Sequence, residues 1–168
     1  TLLTRPQELW LLLCLFFYMD KITKYQQTAN KVDLYLKDYE IDTIGKMSMI
    51  ASMLMNTFPE WIFCGFYRKT FEKQLEIGPY QSSIIPCGQI DFSRGVCGKS
   101  ARTKKTVIVD NVMNFPGYIS CDDKTVSEIV IPVVKNGELL AVLDIDGAIE
   151  GQFDKIDQKY LEIIVSYI

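Results

Sequence analysis

The chain contains no histidine. That removes Ser-His and Cys-His dyads, histidine-ligated zinc and the commonest general base near neutral pH, so any chemistry must run on thiols and carboxylates. Five cysteines supply the thiols. Cys14 lies in an apolar run and Cys64 in a strand-like one, whereas Cys87, Cys97 and Cys121 sit beside Gly, Pro, Ser and Asp in connecting segments and read as accessible. No spacing is Cys-x-x-Cys, which argues against a zinc ribbon or a thioredoxin-type motif. The odd count also speaks against a fully paired secreted framework.

Cys97 follows Gly95 at the start of a short predicted helix and stands near Lys99, where unpaired N–H groups and a cation favour a thiolate. Local electrostatics alone therefore nominates Cys97 as the nucleophile. Cys121 is followed by Asp122 and Asp123, whose charges disfavour its thiolate, but it lies on a long loop. Cys87, between Pro86 and Gly88, has the setting of a thiol that changes partners. Asp144 and Asp146 stand two apart on a strand and share a face, with Leu143 and Ile145 on the other, and Glu128 begins the strand paired with theirs. These acids read either as a solvated strand end or as a cation-binding or proton-donating cluster.

The elements that must position these residues form one domain. The 168 residues are 48% hydrophobic and 23% charged, enough for a single core. A net charge of -3, with no basic run longer than Lys104-Lys105, argues against a nucleic-acid partner. Residues 9–19, LWLLLCLFFYM, are too short to span a bilayer, which takes about 20 residues. Residues 1–18 are set apart as an apolar N-terminal extension, with a signal peptide or a membrane-surface anchor as alternatives, and the domain is placed at 19–168.

Ile22, Tyr25, Ala29, Val32 and Leu36 predict one amphipathic helix, and Ile44, Met47, Ile50 and Leu54 a second, capped by Asp42 or Thr43. Strands are expected at 61–67 and 74–80 with Arg68, Lys69 and Thr70 in the turn, then an irregular stretch to Phe92, a helix at about 95–104 and a strand at 106–112. Asn136-Gly137 predicts a type I′ turn in the hairpin 128–146. A last helix from Phe153 or Asp154 carries Ile156, Tyr160, Ile163, Ile164 and Tyr167 inward. The fold class is α+β, a mostly antiparallel sheet with helices packed on it.

The run Cys87-Gly-Gln-Ile-Asp-Phe-Ser-Arg-Gly-Val-Cys97-Gly, then Pro116-Gly-Tyr-Ile-Ser-Cys121-Asp, Ser127-Glu-Ile-Val-Ile-Pro132 and Leu143-Asp-Ile-Asp146, strongly resembles the free methionine-(R)-sulfoxide reductases, which are single GAF domains. Gly65-Phe-Tyr67 and Gly78-Pro-Tyr-Gln81 match as well, so the resemblance runs from about Asp20 to the end. It implies a catalytic Cys121, displacing Cys97 from that role, with Cys97 and Cys87 as resolving thiols. It further implies Glu128, Asp144 and Asp146 as substrate-binding acids, and Trp61, Phe63 and Tyr67 as pocket residues. The implied reaction reduces free methionine sulfoxide through a cysteine sulfenic acid and an intramolecular disulfide, recycled by thioredoxin or a similar dithiol. No metal or bound cofactor is expected, no membrane or nucleic acid, a cytoplasmic location, and a homodimer as an open alternative.

The chain departs from its relatives in places. They carry Trp-x-Gly-Phe-Tyr where this chain has Phe63-Cys64-Gly65-Phe66-Tyr67, with Trp61 two positions earlier and so expected on the same face. They have His at the place of Tyr118, Gly-Lys near Ser82-Ser83, and one residue fewer before Cys87. The rival readings are a non-catalytic GAF module that senses a small ligand or oxidation, and a structural protein with a permanent disulfide. A reducible Cys97-Cys121 bond would favour the enzyme.

Overall fold

A computed structural model of the chain describes the backbone of residues 6–168 and the side chains of residues 20–168. The first helix, α1 (Pro6–Leu36), continues without a break from the apolar segment 6–18 into the expected amphipathic stretch. The side chains of that segment, Cys14 included, lie outside the described residues. From Asp20 onward α1 buries Tyr25, Thr28, Val32 and Leu36, close to the expected stripe. In α2 (Thr43–Thr57), Asp42 caps the start by accepting from the Gly45 N–H at 2.7 Å. This helix buries Met47, Ile50, Ala51 and Leu54, and Ile44, at the margin of that stripe, stays 39% exposed.

The sheet has six strands: β1 (Trp61–Phe71), β2 (Gln74–Ser82), β3 (Gln89–Asp91), β4 (Val107–Val109), β5 (Ser127–Lys135) and β6 (Glu138–Gly147). Their order is β3-β2-β1-β6-β5-β4 and every pairing is antiparallel. The α+β expectation is met. Two strand boundaries differ from it. Arg68, Lys69 and Thr70 lie within β1, not in a turn, because the β1–β2 ladder continues through Arg68–Glu76 and Lys69–Leu75 to Phe71–Gln74. The stretch read as irregular contains β3, whose one buried side chain, Ile90, is too little periodicity to announce a strand.

The β5–β6 turn places Asn136 at φ 52° and Gly137 at φ 81°, the two positive values a type I′ turn requires. Between β3 and β4 lies α3 (Gly95–Thr103), and a single 3-10 turn, Val112–Asn114, interrupts the long loop before β5. The closing helix α4 (Lys155–Val165) starts at a capping box in which Asp154 and Asp157 each accept from the other's backbone. It buries Asp157, Leu161, Ile164 and Val165, whereas Ile163, expected inward, is 42% exposed.

The sheet separates two cores. One face, through Cys64, Phe66, Ile129, Ile131, Leu143 and Ile145, packs on α1, α2 and α4. The other, through Phe63, Tyr67, Val130 and Val142, packs on α3 and the loops around it. On the helical side α1 is tied to α4 by a buried polar knot. Tyr25 Oη donates to Asp157 at 2.7 Å, Lys21 ion-pairs with Asp157 and, at 3.2 Å, with Asp154, and the Asp154 N–H donates to Asp157 at 2.7 Å. Burial raises the Asp157 pKa, and the Lys21 ammonium and these donors pull it back down. Asp157→Ala would leave the Tyr25 hydroxyl unpartnered and break the cap. The expected cost is about 3 kcal/mol of stability in urea denaturation, and less for Lys21→Met because the lysine is 23% exposed.

Candidate functional site

The acids come from adjacent strands. Across β5–β6, Glu128 pairs with Asp146 and Val130 with Asp144; across β1–β6, Phe63 pairs with Asp146 and Gly65 with Asp144. The two-residue period therefore places Glu128, Asp144, Asp146, Phe63 and Tyr67 on the face that α3 covers. Glu128 and Asp144 are each only 6% exposed, so they are not a solvated strand end.

The expectation that Trp61 shares this face is corrected. Trp61 pairs with Gly147 and Phe63 with Asp146, so two residues of β1 advance against one of β6. That irregularity turns Trp61 to the opposite face. There its ring stacks on Phe58 at 4.5 Å and meets Phe153 at 6.1 Å. The aromatic wall of the site is instead Phe63, with Tyr80 stacked at 5.7 Å and Tyr67 at 6.2 Å. Gly65 permits this packing: a Cβ there would lie 2.3 Å from Tyr80 Cβ and 2.7 Å from Phe63 Cζ.

The first turn of α3 brings Cys97 onto the acids, its Sγ 4.0 Å from Glu128 Oε1. Gly98 allows the approach, since a Cβ at that position would meet the Asp91 and Phe92 carbonyl oxygens at 2.8 Å. The electrostatic case for a Cys97 thiolate is overturned, as is its accessibility. Cys97 is buried, burial and then the charges of Asp144, Glu128 and Asp146 raise its pKa well above the usual thiol range, and the Lys99 ammonium faces the Phe115 ring 5.3 Å away.

Cys121 lines the same pocket, at the end of a loop held by Asp122. The Asp122 carboxylate accepts from the Lys124 N–H, the Thr125 N–H and the Thr125 hydroxyl at 2.6, 2.9 and 2.8 Å. The Gly95 N–H donates to the Gly117 carbonyl at 3.0 Å, tying this loop to the start of α3. Cys121 is bonded to Cys87, 34 residues away, with the Cα atoms 5.5 Å apart. Cys97 is a free thiol, so the expected Cys97-Cys121 pairing is replaced by Cys87-Cys121.

Besides these residues the pocket is lined by Ile84, Pro86, Val96, Tyr118 and Ile119. Tyr118 was read only as a departure from relatives; its place three residues before Cys121 was the available signal. Its phenol pKa is raised by burial and then by Glu128, Asp146, Asp122 and Asp144. Among the described residues no Lys or Arg lines the pocket.

The carboxyls hold their protons to higher pH than free carboxylates do. Burial, then the Asp144 and Asp146 charges, raise Glu128 well above its ordinary range. Burial, then Asp144 and Asp122, do the same to Asp146. Asp144 rises to about 6 through burial, against contacts with Glu128, Cys97 and the Ile145 N–H that lower it. The contact raises Glu128 and lowers Asp144, the pattern of a protonated acid donating to a carboxylate. Asp144 Oδ1 is buried without a hydrogen-bond partner. Cys97, Glu128 and Asp144 offer ligand atoms within 4.8 Å of one another, so this is also the place among the described residues where a cation would be held.

Residues 51–168 match the GAF domain. The chain is 36% identical over 169 aligned positions to the free methionine-R-sulfoxide reductase of Saccharomyces cerevisiae, covering 91% of this chain and 93% of the yeast protein. It is 38% identical over 143 residues to protein YtsP of Bacillus subtilis, covering 84% and 86%. The solved structure of free methionine-R-sulfoxide reductase from Neisseria meningitidis in complex with its substrate is similar with a TM-score of 0.82 at 31% identity, over 88% of this chain and 87% of that one.

The raised Asp144 pKa has a consequence for stability. Between its ordinary value of 3.8 and about 6 the folded protein binds more protons at this site than the unfolded chain, so stability contributed by Asp144 falls as pH rises through that window. Asp144→Asn should remove that part of the slope in denaturation measured at successive pH values, and carboxyl NMR should place the Asp144 titration near 6.

Proposed function

The chain belongs to the GAF-domain free methionine-R-sulfoxide reductases, and from that premise we propose that it reduces free methionine-(R)-sulfoxide to methionine with Cys121 as the nucleophile. The observation that carries the reading is a pocket lined by four acids, with no lysine or arginine among the described residues, that opens on a cysteine already paired to a second thiol.

In the reduced protein the Cys121 thiolate attacks the sulfoxide sulfur. The sulfoxide oxygen takes one proton from Glu128, which is held in its protonated form, and passes from the substrate sulfur to the Cys121 sulfur as the bond between the two sulfurs breaks. Methionine leaves and Cys121 carries the oxygen as a sulfenic acid. The Cys87 thiol then attacks the Cys121 sulfur, water departs, and the Cys87-Cys121 disulfide forms. The observed pairing supports Cys87 over Cys97 as the resolving thiol. An external dithiol, thioredoxin in our reading, returns both cysteines to thiols. That cycle needs a reducing compartment, hence the cytoplasm.

The same acids account for a free amino acid as substrate. Asp144, with a pKa of about 6, is mostly ionised at neutral pH and can receive the ammonium group. A methionine sulfoxide within a peptide has an amide there and would leave that carboxylate unpaired. Phe63 and Tyr67 provide the apolar wall for the thioether chain.

Conversion of free methionine-(R)-sulfoxide with excess dithiothreitol tests the reading. Cys121→Ser should fall to background, whereas Cys87→Ser and Cys97→Ser should stay within about tenfold of wild type, because a small dithiol substitutes for a resolving thiol. No turnover by folded wild-type protein would sink it. Asp144→Asn should raise KM for the free amino acid by about tenfold or more, with kcat less affected.

A further inference from the structure

We propose that the external protein dithiol docks on the uncharged strip 81–89 and attacks Cys87, not Cys121, so that the mixed disulfide forms on Cys87. This rests on the recycling step above and assigns its partner surface and its direction.

Either sulfur of the disulfide is a chemical target, but the two have different surroundings. Cys121 lines the pocket with Asp122, Glu128, Asp144 and Asp146, and the next two residues of the chain are both Asp. An incoming thiolate brings negative charge toward that cluster, where Coulomb repulsion opposes it. Cys87 is not part of the pocket lining, and from Gln81 to Gln89 the chain reads QSSIIPCGQ without a single charge.

The strip has the form of a docking surface. Ile85, two residues before Cys87, is 86% exposed, the highest value among the exposed large hydrophobic side chains described. Gly88, on the other flank of Cys87, has open space where a Cβ would stand. Both ends are anchored. The Ser82 hydroxyl donates to the Ile62 carbonyl at 2.8 Å and accepts from the Ile84 N–H at 3.0 Å. The Ile77 N–H donates to the Gly88 carbonyl at 3.0 Å, and Gln74 donates to Gln89 at 3.1 Å. A fixed, neutral, apolar projection beside a disulfide fits a protein dithiol whose attacking cysteine is rimmed by apolar surface, and is a poor match for a charged small thiol.

In the step itself, the partner thiolate forms a bond to Cys87 Sγ as the Cys87–Cys121 bond breaks. Cys121 leaves with the electron pair and takes a proton from the pocket acids. The partner's second thiol then displaces Cys87, which leaves as a thiol. The partner ends as a disulfide, and its two electrons have reduced the pair.

Oxidised protein incubated with a thioredoxin whose second Cys-x-x-Cys cysteine is serine should give a trapped conjugate, and peptide mapping should find it on Cys87. A conjugate on Cys121, or none, would overturn the assignment. Ile85→Asp should raise the thioredoxin concentration needed for half-maximal rate by about tenfold while leaving turnover with dithiothreitol unchanged. Unaltered dependence on thioredoxin would overturn the docking strip. The conjugate is read without methionine sulfoxide, so it stands or falls independently of the reductase activity, which the dithiothreitol assay reports alone.

Discussion

Three carboxyl groups face one another on a buried patch of sheet, and the behaviour of the site follows from that constraint. Glu128, Asp144 and Asp146 are brought together by the pairing of β5 with β6, and among the described residues no basic side chain lines their pocket. Out of water, like charges at this spacing cannot all be ionised, so protons stay on the acids well above the usual carboxylate range. Burial first, and then the same field, keep Cys97 a thiol, although its position at a helix N-terminus would otherwise activate it. Such a pocket suits a cationic group and a reacting atom that needs protons, which agrees with the substrate proposed above.

The sheet keeps this chemistry apart from the packing that stabilises the fold. Along β1, Cys64 and Phe66 go to the helical core while Phe63 and Tyr67 go to the pocket, and β6 divides Leu143 and Ile145 from Asp144 and Asp146 in the same way. On the helical side Tyr25, Lys21, Asp154 and Asp157 satisfy one another in one knot. On the pocket face Asp144 Oδ1 is buried without a partner, free to accept from a bound molecule. The irregularity between Trp61 and Phe63 sends the larger indole to the core and leaves the smaller ring at the pocket.

The disulfide joins two loops, not two elements of the framework. The Cys87 segment is anchored to β1 and β2 and the Cys121 loop to α3 and to its own Asp122 turn, so each is fixed near its ends with its cysteine between. Neither cysteine belongs to a strand or helix, an arrangement compatible with the redox cycle proposed above. Cys97, within α3 and against Glu128, is held by the framework itself.

Much of this was legible in the amino-acid order. The period of two along β6 was enough to put Asp144 and Asp146 on one face, Asn136-Gly137 to specify the hairpin turn, and Asp42 to begin α2, because these depend on a residue and its near neighbours. The motif around Cys87, Cys97, Cys121 and the acids was sufficient to indicate the family. The rest depends on contacts between distant segments. The face of Trp61 was set by how β1 registers against β6, and no local period contains a bulge. The state of the Cys97 thiol was set by its burial and then by carboxyls 31 or more residues away, which together outweigh Gly95 and Lys99 beside it. Which two of the three cysteines pair was decided by loops that meet only when the sheet and α3 bring them together. Sequence determined the residues able to react and their local geometry; tertiary structure decided their burial, charge state and partners, because electrostatic and packing energies act through space and not along the chain.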